Sequence, residues 1–328
     1  MSLKKTLISV FISLFLMGGI FVSASTAVAG RTYKIAVVVH GGTTNPFWKI
    51  EEKGIRDIAA QYPDLEVTYL GPKVYNFEEF MDILKTAIDS KPDALICTLT
   101  YPELMDDLLR PAITEGLPVI GINAADMREP AEARIPILTY IGEDSYRIGA
   151  TAAKETLKRF TPKRALFCNH HPGADNIDAR GRGWVDTMKE KGIPAEQIDI
   201  TADPVVGTEI VSTYLTRYPE TDAIFITNVV RTITTIARLE ADGYEVGKDI
   251  KIAQMDVSPE LLEYLKNEKV MFTLDQQPYL QSYLGVMLAY LHVKYNLAPP
   301  PPPLLTGPGI VTKENIVELL EFSKAGYR

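Results

Sequence analysis

The chain has 328 residues and only two cysteines, Cys97 and Cys168. Two cysteines make no disulfide framework, so an apolar core has to hold the fold. Both sit in apolar runs and read as buried free thiols; a single bridge between them is the alternative in an oxidising compartment. Four histidines are present. His170 and His171 are adjacent, but no Asp, Glu or Cys stands at a ligand spacing from them, so neither a metal nor another cofactor is expected. There is no basic excess: the formal net charge is -8, which disfavours nucleic acid and anionic membrane as partners. Tandem repeats and Gly/Ser-rich linkers are absent. So are a zinc motif, a nucleophile elbow and a Ser/His/Asp constellation, and the chain reads as no enzyme. With 42 acidic residues, counting alone does not dismiss a glycosidase pair.

One long apolar run exists, at the N-terminus. Lys4 and Lys5 precede residues 7–22, and Ala27-Val28-Ala29 supplies a small-x-small cleavage pattern. Residues 1–29 read as a secretory signal, with Gly30 opening the mature chain. The alternative, a membrane anchor, needs a longer stretch than this one, which Gly18-Gly19 interrupts. No cysteine follows it to carry a lipid. The mature product is expected to be soluble, monomeric and periplasmic. Losing the signal removes two lysines and no acids, taking the charge from -8 to -10.

Past Gly30, β-rich apolar runs at 34–39, 65–70, 94–98 and 118–122 alternate with helical patterns at 46–60, 76–90 and 103–115. Gly116 stops the third helix and Pro118 enters the next strand. This is a βαβ series, hence a parallel sheet covered on both faces. The series is expected to begin again with a strand at 137–141 and a helix running from Gly142-Glu143-Asp144-Ser145 to about 160. Strands at 164–168, 198–201, 223–227 and 250–255 follow, with helices at 176–191, 208–217, 229–242 and 259–267. A strand at 270–274, a helix at 278–295, a stiff polyproline connector at 299–303, a strand at 310–312 and a helix at 313–322 complete the chain. Two successive sets predict two similar α/β lobes.

The stretch around which the rest is organised is Asn45-Pro46-Phe47-Trp48. It follows a strand and the turn His40-Gly41-Gly42-Thr43-Thr44, which is the ligand-facing corner of a parallel sheet. Asn45 suits an N-cap and Pro46 the first helical position. Neighbouring helix residues do not share a face, so one of Phe47 and Trp48 can be core and the other a platform for a sugar ring. Asn123, Asn228 and Asp256 each end an apolar strand, where polar side chains point into the crevice. Helix capping is the competing use for all three.

Several motifs, in order, resemble those of the type I periplasmic sugar-binding proteins, the group that includes the ribose- and galactose-binding proteins. They are Asn45-Pro46-Phe47-Trp48; Tyr101-Pro102 through Gly116-Leu117-Pro118-Val119-Ile120; and Ile141-Gly142-Glu143-Asp144 with Gly149, Ala152 and Ala153. Ala179-Arg180-Gly181-Arg182-Gly183-Trp184, Met255-Asp256 and Leu274-Asp275-Gln276-Gln277-Pro278 complete the set. The resemblance covers essentially the whole mature chain. It implies two flavodoxin-like (Rossmann-like) lobes with parallel sheets, joined by a three-crossing hinge. The lobes fall at 31–139 plus 277–305 and at 140–276 plus 306–328. Matching positions implies a ligand pocket of Asn45, Phe47, Asn123, Arg180, Asn228, Asp256 and Gln276, with Trp48, Tyr101, His171 and Asn176 as further candidates. Arg180 is expected to offer the ligand a planar fork.

The chain also departs from the family. Asn123-Ala124 stands where several relatives have Asp-Arg, and Val229-Val230 follows Asn228 where many have an acid. The implied function is capture of a sugar or polyol for an ABC permease and ATPase. The alternative is a sensing module that hands its closed form to a chemoreceptor or sensor kinase.

Overall fold

The computed structural model describes residues 30–201 and 203–328. The signal segment expected at residues 1–29 lies outside the described residues. From Thr32 onward the chain forms one compact unit containing two α/β lobes.

Lobe 1 is built on a parallel sheet ordered β11-β5-β4-β3-β1-β2. Its strands are β1 (Tyr33–Val38), β2 (Leu65–Leu70), β3 (Ala94–Cys97), β4 (Val119–Asn123), β5 (Thr139–Gly142) and β11 (Leu304–Leu305). Helices α1 (Pro46–Ala59), α2 (Phe77–Asp89), α3 (Pro102–Thr114) and α9 (Pro278–Tyr295) belong to it. Lobe 2 repeats the plan with the order β12-β10-β9-β8-β6-β7. These strands are β6 (Ala165–Asn169), β7 (Ala195–Asp199), β8 (Ala223–Ile226), β9 (Lys251–Met255), β10 (Phe272–Asp275) and β12 (Gly309–Val311), the last antiparallel to β10. Its helices are α4 (Ser145–Arg159), α5 (Asp175–Glu190), α6 (Pro204–Arg217), α7 (Val229–Ala241), α8 (Pro259–Lys266) and α10 (Ile316–Lys324).

The central strands are apolar without alternation because both faces are covered. In β1, Ile35 and Val37 pack on one side of the sheet while Ala36 and Val38 pack on the other. In β6, Leu166 and Cys168 oppose Ala165 and Phe167 in the same way. A strand buried on both faces carries no period-two signal. Cys97 in β3 and Cys168 in β6 are buried and free, in different lobes.

Several elements differ from the sequence expectation. The strand at 137–141 does not start a second series; β5 pairs with β4 and belongs to lobe 1, and the chain crosses to lobe 2 after Gly142. A doubly covered strand looks the same whichever sheet it joins. β7 begins at Ala195, not 198, because it pairs along the whole of β6 from Ala165↔Ala195. α6 begins at Pro204, four residues early, with the Asp203 carboxylate capping the N–H groups of Val205 and Val206. β11 directly follows the proline run and adds a parallel strand beside β5.

Three crossings join the lobes: after β5, between β10 and α9, and between β11 and β12. Thr306 laces them together. Its N–H donates to the Gly142 carbonyl at 2.8 Å, and its hydroxyl reaches the Gln276 carbonyl at 2.8 Å. Gln281 on α9 also donates to the Gln276 carbonyl, at 2.9 Å. Among the described residues no helix is long and apolar enough to cross a membrane.

Candidate functional site

The carboxyl ends of both sheets face one cleft of about 860 Å³, the usual ligand position of an open α/β sheet. His40 follows β1 and Asn123 ends β4; His170 follows β6, Thr227 follows β8, Asp256 follows β9 and Gln276 follows β10.

The α1 corner forms one wall. Asn45 caps the helix, its side-chain oxygen accepting from the Phe47 N–H at 3.0 Å. The two aromatics divide as their spacing requires. Trp48 is 5 % exposed and joins the lobe 1 core, while Phe47 is half-buried and meets it edge-on at 4.8 Å. Gly41 makes room for the indole: a Cβ there would lie 1.6 Å from Trp48 Nε1.

The floor is a chain of amides that links the lobes. Asn123 Nδ2 donates to Gln276 Oε1 at 3.0 Å, and Gln276 Nε2 donates to Asp256 Oδ1 at 2.7 Å. Asn123 and Asp256 both have left-handed backbones, with φ of 61° and 88°. Asn and Asp tolerate this better than other residues with side chains, which favours them at these two strand ends. Capping does not explain either side chain. The helix after Asp256 is capped by Ser258, whose hydroxyl accepts from the Leu261 N–H at 3.1 Å. Burial pushes the Asp256 carboxyl up to about 7, against the pull of the Gln276 bond and Arg180. Asn228 both lines the cleft and caps α7, accepting from the Arg231 N–H at 3.1 Å.

Arg180 rises from α5 and is 3 % exposed. Its Nε donates to Glu143 Oε1 at 2.6 Å, and Nη2 reaches the same oxygen. Glu143 lies in the first crossing, is 1 % exposed, and also accepts from the Ser145 hydroxyl at 2.9 Å. Burial pushes its carboxyl up while Arg180 opposes the shift. Arg180 was expected to offer its fork to a ligand; the structure shows it in a buried ion pair that still borders the cleft. α5 can sit this deep because α4 presents Gly149, where a Cβ would meet the Arg180 carbonyl oxygen at 1.8 Å. Arg182 points elsewhere and is exposed.

Asn176 is 4 % exposed on the cleft wall, and its side-chain oxygen has no partner among the described residues. His171 stacks on Tyr75 of lobe 1, with ring centroids 4.2 Å apart and planes 23° apart. Burial, with Arg231 and Arg180 near, pushes the His171 imidazole down to about 4.

Ten of the eleven candidate residues therefore border one cleft. Tyr101 does not. Its hydroxyl meets that of Tyr75 at 3.0 Å, and its ring packs edge-on against Phe77 and against the lobe 2 core. A tyrosine just past a strand end can turn sideways to bridge the lobes, and nothing in the sequence distinguishes that from facing a ligand.

Sequence reasoning passed over His40, His170, Tyr75 and Arg231, which also line the cleft. The signal for His40 and His170 was present, since each is a polar residue just beyond a buried strand. Among the described residues no group of three or more His, Cys, Asp or Glu is placed to hold a metal.

The geometry agrees with comparisons to known proteins. Residues 35–296 match the family model described as a periplasmic binding protein domain. The xylose/arabinose-binding protein of Sulfolobus acidocaldarius is 24% identical over 304 residues, covering 89% of this chain and 74% of that protein. The ribose import binding protein of Bacillus subtilis is 22% identical over 246 residues, covering 75% and 77%. A carbohydrate transporter structure from Acidothermus cellulolyticus, solved with myo-inositol, superposes with a TM-score of 0.80 at 22% identity, covering 91% of this chain and 100% of that one. The chain belongs to the periplasmic binding protein family, a family of binding proteins.

Proposed function

We propose that the chain is a periplasmic solute-binding protein that captures a small sugar or polyol between its lobes. It acts as a monomer, releases the ligand unchanged, and delivers it to the permease and ATPase of an ABC importer. The observation that carries this reading is the cleft. A half-buried aromatic (Phe47), three asparagines (Asn45, Asn123 and Asn228), a carboxyl (Asp256) and a buried guanidinium (Arg180) meet there from both lobes. An aromatic face suits the C–H side of a sugar ring, while amide, carboxyl and guanidinium groups suit its hydroxyls. Because the two walls belong to different lobes, only the closed form supplies all the contacts, and ligand shifts the population toward it. The names of the two curated relatives support a carbohydrate ligand. Residues 1–29 serve as the export signal, and the hinge at Glu143, Gln276 and Thr306 separates the moving parts.

A thermal-shift screen of pentoses, hexoses and polyols tests the proposal. At 100 times its Kd a ligand stabilises by about 2.7 kcal/mol, a readily measured shift. The bound compound is then released and weighed by mass spectrometry. A flat panel, or recovery of a converted product, would sink the reading.

A further inference from the structure

The two lobes carry the same side-chain pair at the same topological place. In lobe 1, β1 lies between β2 and β3; in lobe 2, β6 lies between β7 and β8. Val38 pairs with Cys97 across β1 and β3, and Cys168 pairs with Ile226 across β6 and β8. In each lobe the residue after the second member of that pair is a threonine, Thr98 or Thr227. Two residues after the first member is a histidine, His40 or His170. The threonine hydroxyl meets the histidine Nδ1 in both lobes, at 2.9 Å for Thr98 and His40 and at 3.4 Å for Thr227 and His170. Both rings line the cleft, and both histidines are more than nine-tenths buried.

Hydrogen-bond accounting decides which ring nitrogen carries the proton in lobe 1. The Thr98 oxygen already accepts from the His40 backbone N–H at 3.1 Å. Thr98 is fully buried, and among the described residues its own O–H has no acceptor except His40 Nδ1. A buried hydroxyl that leaves its proton unbonded costs free energy, so Thr98 donates to Nδ1. Nδ1 is then bare and the ring proton sits on Nε2. Thr227 and His170 keep the side-chain contact, at 3.4 Å, without the backbone bond; there the assignment rests on the buried Thr227 hydroxyl having no other acceptor among the described residues. No hydrogen bond to either Nε2 is found among the described residues, so both are left for what enters the cleft. Protonation does not blur this assignment: burial, with Arg180 and His171 near, pushes His40 down to about 3 and His170 well below its ordinary value.

Resting on the sugar-or-polyol reading of the cleft, we propose that His40 and His170 are a matched pair of uncharged Nε2–H donors, one per lobe. Thr98 and Thr227 hold them in that tautomer, and together they read oxygen acceptors on a polyhydroxylated ligand. The ligand class this favours bears hydroxyl or ring oxygens on both of its faces. A group offering only donors, such as the ammonium of an amino sugar, leaves one Nε2–H facing another donor. The pair also couples recognition to closure, since only the closed form brings both donors to one molecule.

The test uses the mature chain labelled with 15N in its histidines, each ring signal assigned from a single His→Gln variant. The expected spectrum at pH 7 shows His40 and His170 as Nε2–H tautomers; Thr98→Val redistributes the His40 signal between tautomers. Calorimetry follows with D-xylose, L-arabinose, D-ribose, D-galactose and myo-inositol. For the probe that binds, His40→Leu and His170→Leu are each expected to lose about tenfold or more in affinity, the cost of one donor removed from a closed site. The Gln variants, whose side-chain N–H₂ falls near the former Nε2, are expected to stay within a few-fold of wild type. Melting temperatures on the same samples separate lost binding from lost fold. Nδ1–H tautomers in both rings, or folded Leu variants that bind like wild type, would overturn the inference while leaving the sugar reading intact. A panel that binds neither wild type nor variants overturns the sugar reading and this inference with it.

Discussion

Lobe 1 faces the cleft with rings and amides: Phe47, the edge of Trp48, Tyr75, Asn45 and Asn123. Lobe 2 faces it with two amides of its own, Asn176 and Asn228, and with most of the groups that carry or can carry charge: Arg180, Arg231, Asp256 and His171. The sheets share one strand order and differ only at the last strand, β11 running parallel to β5 and β12 antiparallel to β10, and the His–Thr pair is kept in both. Divergence falls on the residues just past the strands. Asn123 ends β4 where Asp256 follows β9, both left-handed and both tied to Gln276. Asn45 caps α1, whereas Ala174 stands before α5 and cannot cap. A duplicated frame thus fixes where polar groups converge, and single residues at strand ends decide their chemistry. The contrast predicts that lobe 1 substitutions remove contact area, whereas lobe 2 substitutions leave a buried charge behind.

The sharpest break is at Arg180. Arg180→Ala strands Glu143 with no compensating charge; losing one member of a buried pair costs about 3–5 kcal/mol of stability. Affinity for the sugar found in the screen falls as well, and Arg180→Lys keeps the charge but loses most of the affinity with the planar fork. The double variant Arg180→Ala/Glu143→Ala is expected to recover most of the melting temperature and none of the affinity. Arg182→Ala, on the exposed face, changes neither. If Arg180→Ala melts and binds as wild type does, the ion pair carries neither load.

Next in size is the aromatic corner, where adjacent residues should separate cleanly. Trp48→Ala empties a core site and is expected to cost about 3–5 kcal/mol of stability. Phe47→Ala is expected to spare most of the melting temperature and weaken sugar binding by about tenfold, as a ring stacked on the ligand would. Equal falls in melting temperature would make both residues core.

How much of this could be read from the sequence depends on the range of the interaction. Strand and helix alternation is local, and so are the cap at Asn45 and the polar residues ending β4 and β9; these were legible. Asn228 was legible as a polar strand end, and its helix cap was the stated competing use. Partners far apart in the chain were not. Thr98 lies 58 residues from His40, and Glu143 lies 37 from Arg180. Glu143 appeared only as part of a motif, because its burial exists only once two lobes and a crossing converge. β5 was assigned to the wrong series for the same reason: its sheet is decided by pairing with β4, not by its own residues. Tyr101 shows the converse, a locally sound candidate whose side chain tertiary packing turned away.

Asp256 supplies a smaller and pH-dependent contrast with Asn123, its neutral counterpart. Its folded value of about 7 lies above the usual aspartate value, so the ligand-free fold binds more protons than the unfolded chain between the two. Stability is then highest below the unfolded value and falls as pH rises through about 7. Asp256→Asn removes this slope, so its ligand-free melting temperature is expected to exceed wild type by a few degrees at pH 8 and to match it near pH 4. Identical pH–melting curves would mean that the carboxyl is not desolvated as its surroundings imply.

The smallest effect belongs to an aromatic pair in which the lobes touch across the cleft, Tyr75 of lobe 1 stacked on His171 of lobe 2. Such pairs are worth about 0.5–1.5 kcal/mol beyond buried area, so Tyr75→Ala is expected to weaken sugar binding by about two- to tenfold. The loss should appear in the dissociation rate, because the stack exists only when the lobes are together. Its pH dependence has a definite sign. Closure buries His171 and holds its value at about 4, below that of an exposed imidazole. The open form therefore binds the proton better, and closure weakens as pH falls from about 7 to 5. Asp256 titrates in the same range in wild type and variant alike, so the difference between the two isolates the histidine. His171→Gln is expected to flatten that part of the affinity profile while Tyr75→Ala lowers it at every pH. Stopped-flow dissociation at pH 5, 6 and 7 reads both, and small-angle scattering reports whether the ligand-free variants are more extended than wild type. Unchanged dissociation rates for Tyr75→Ala, with the same scattering radius as wild type, would show that the ligand alone holds the lobes together.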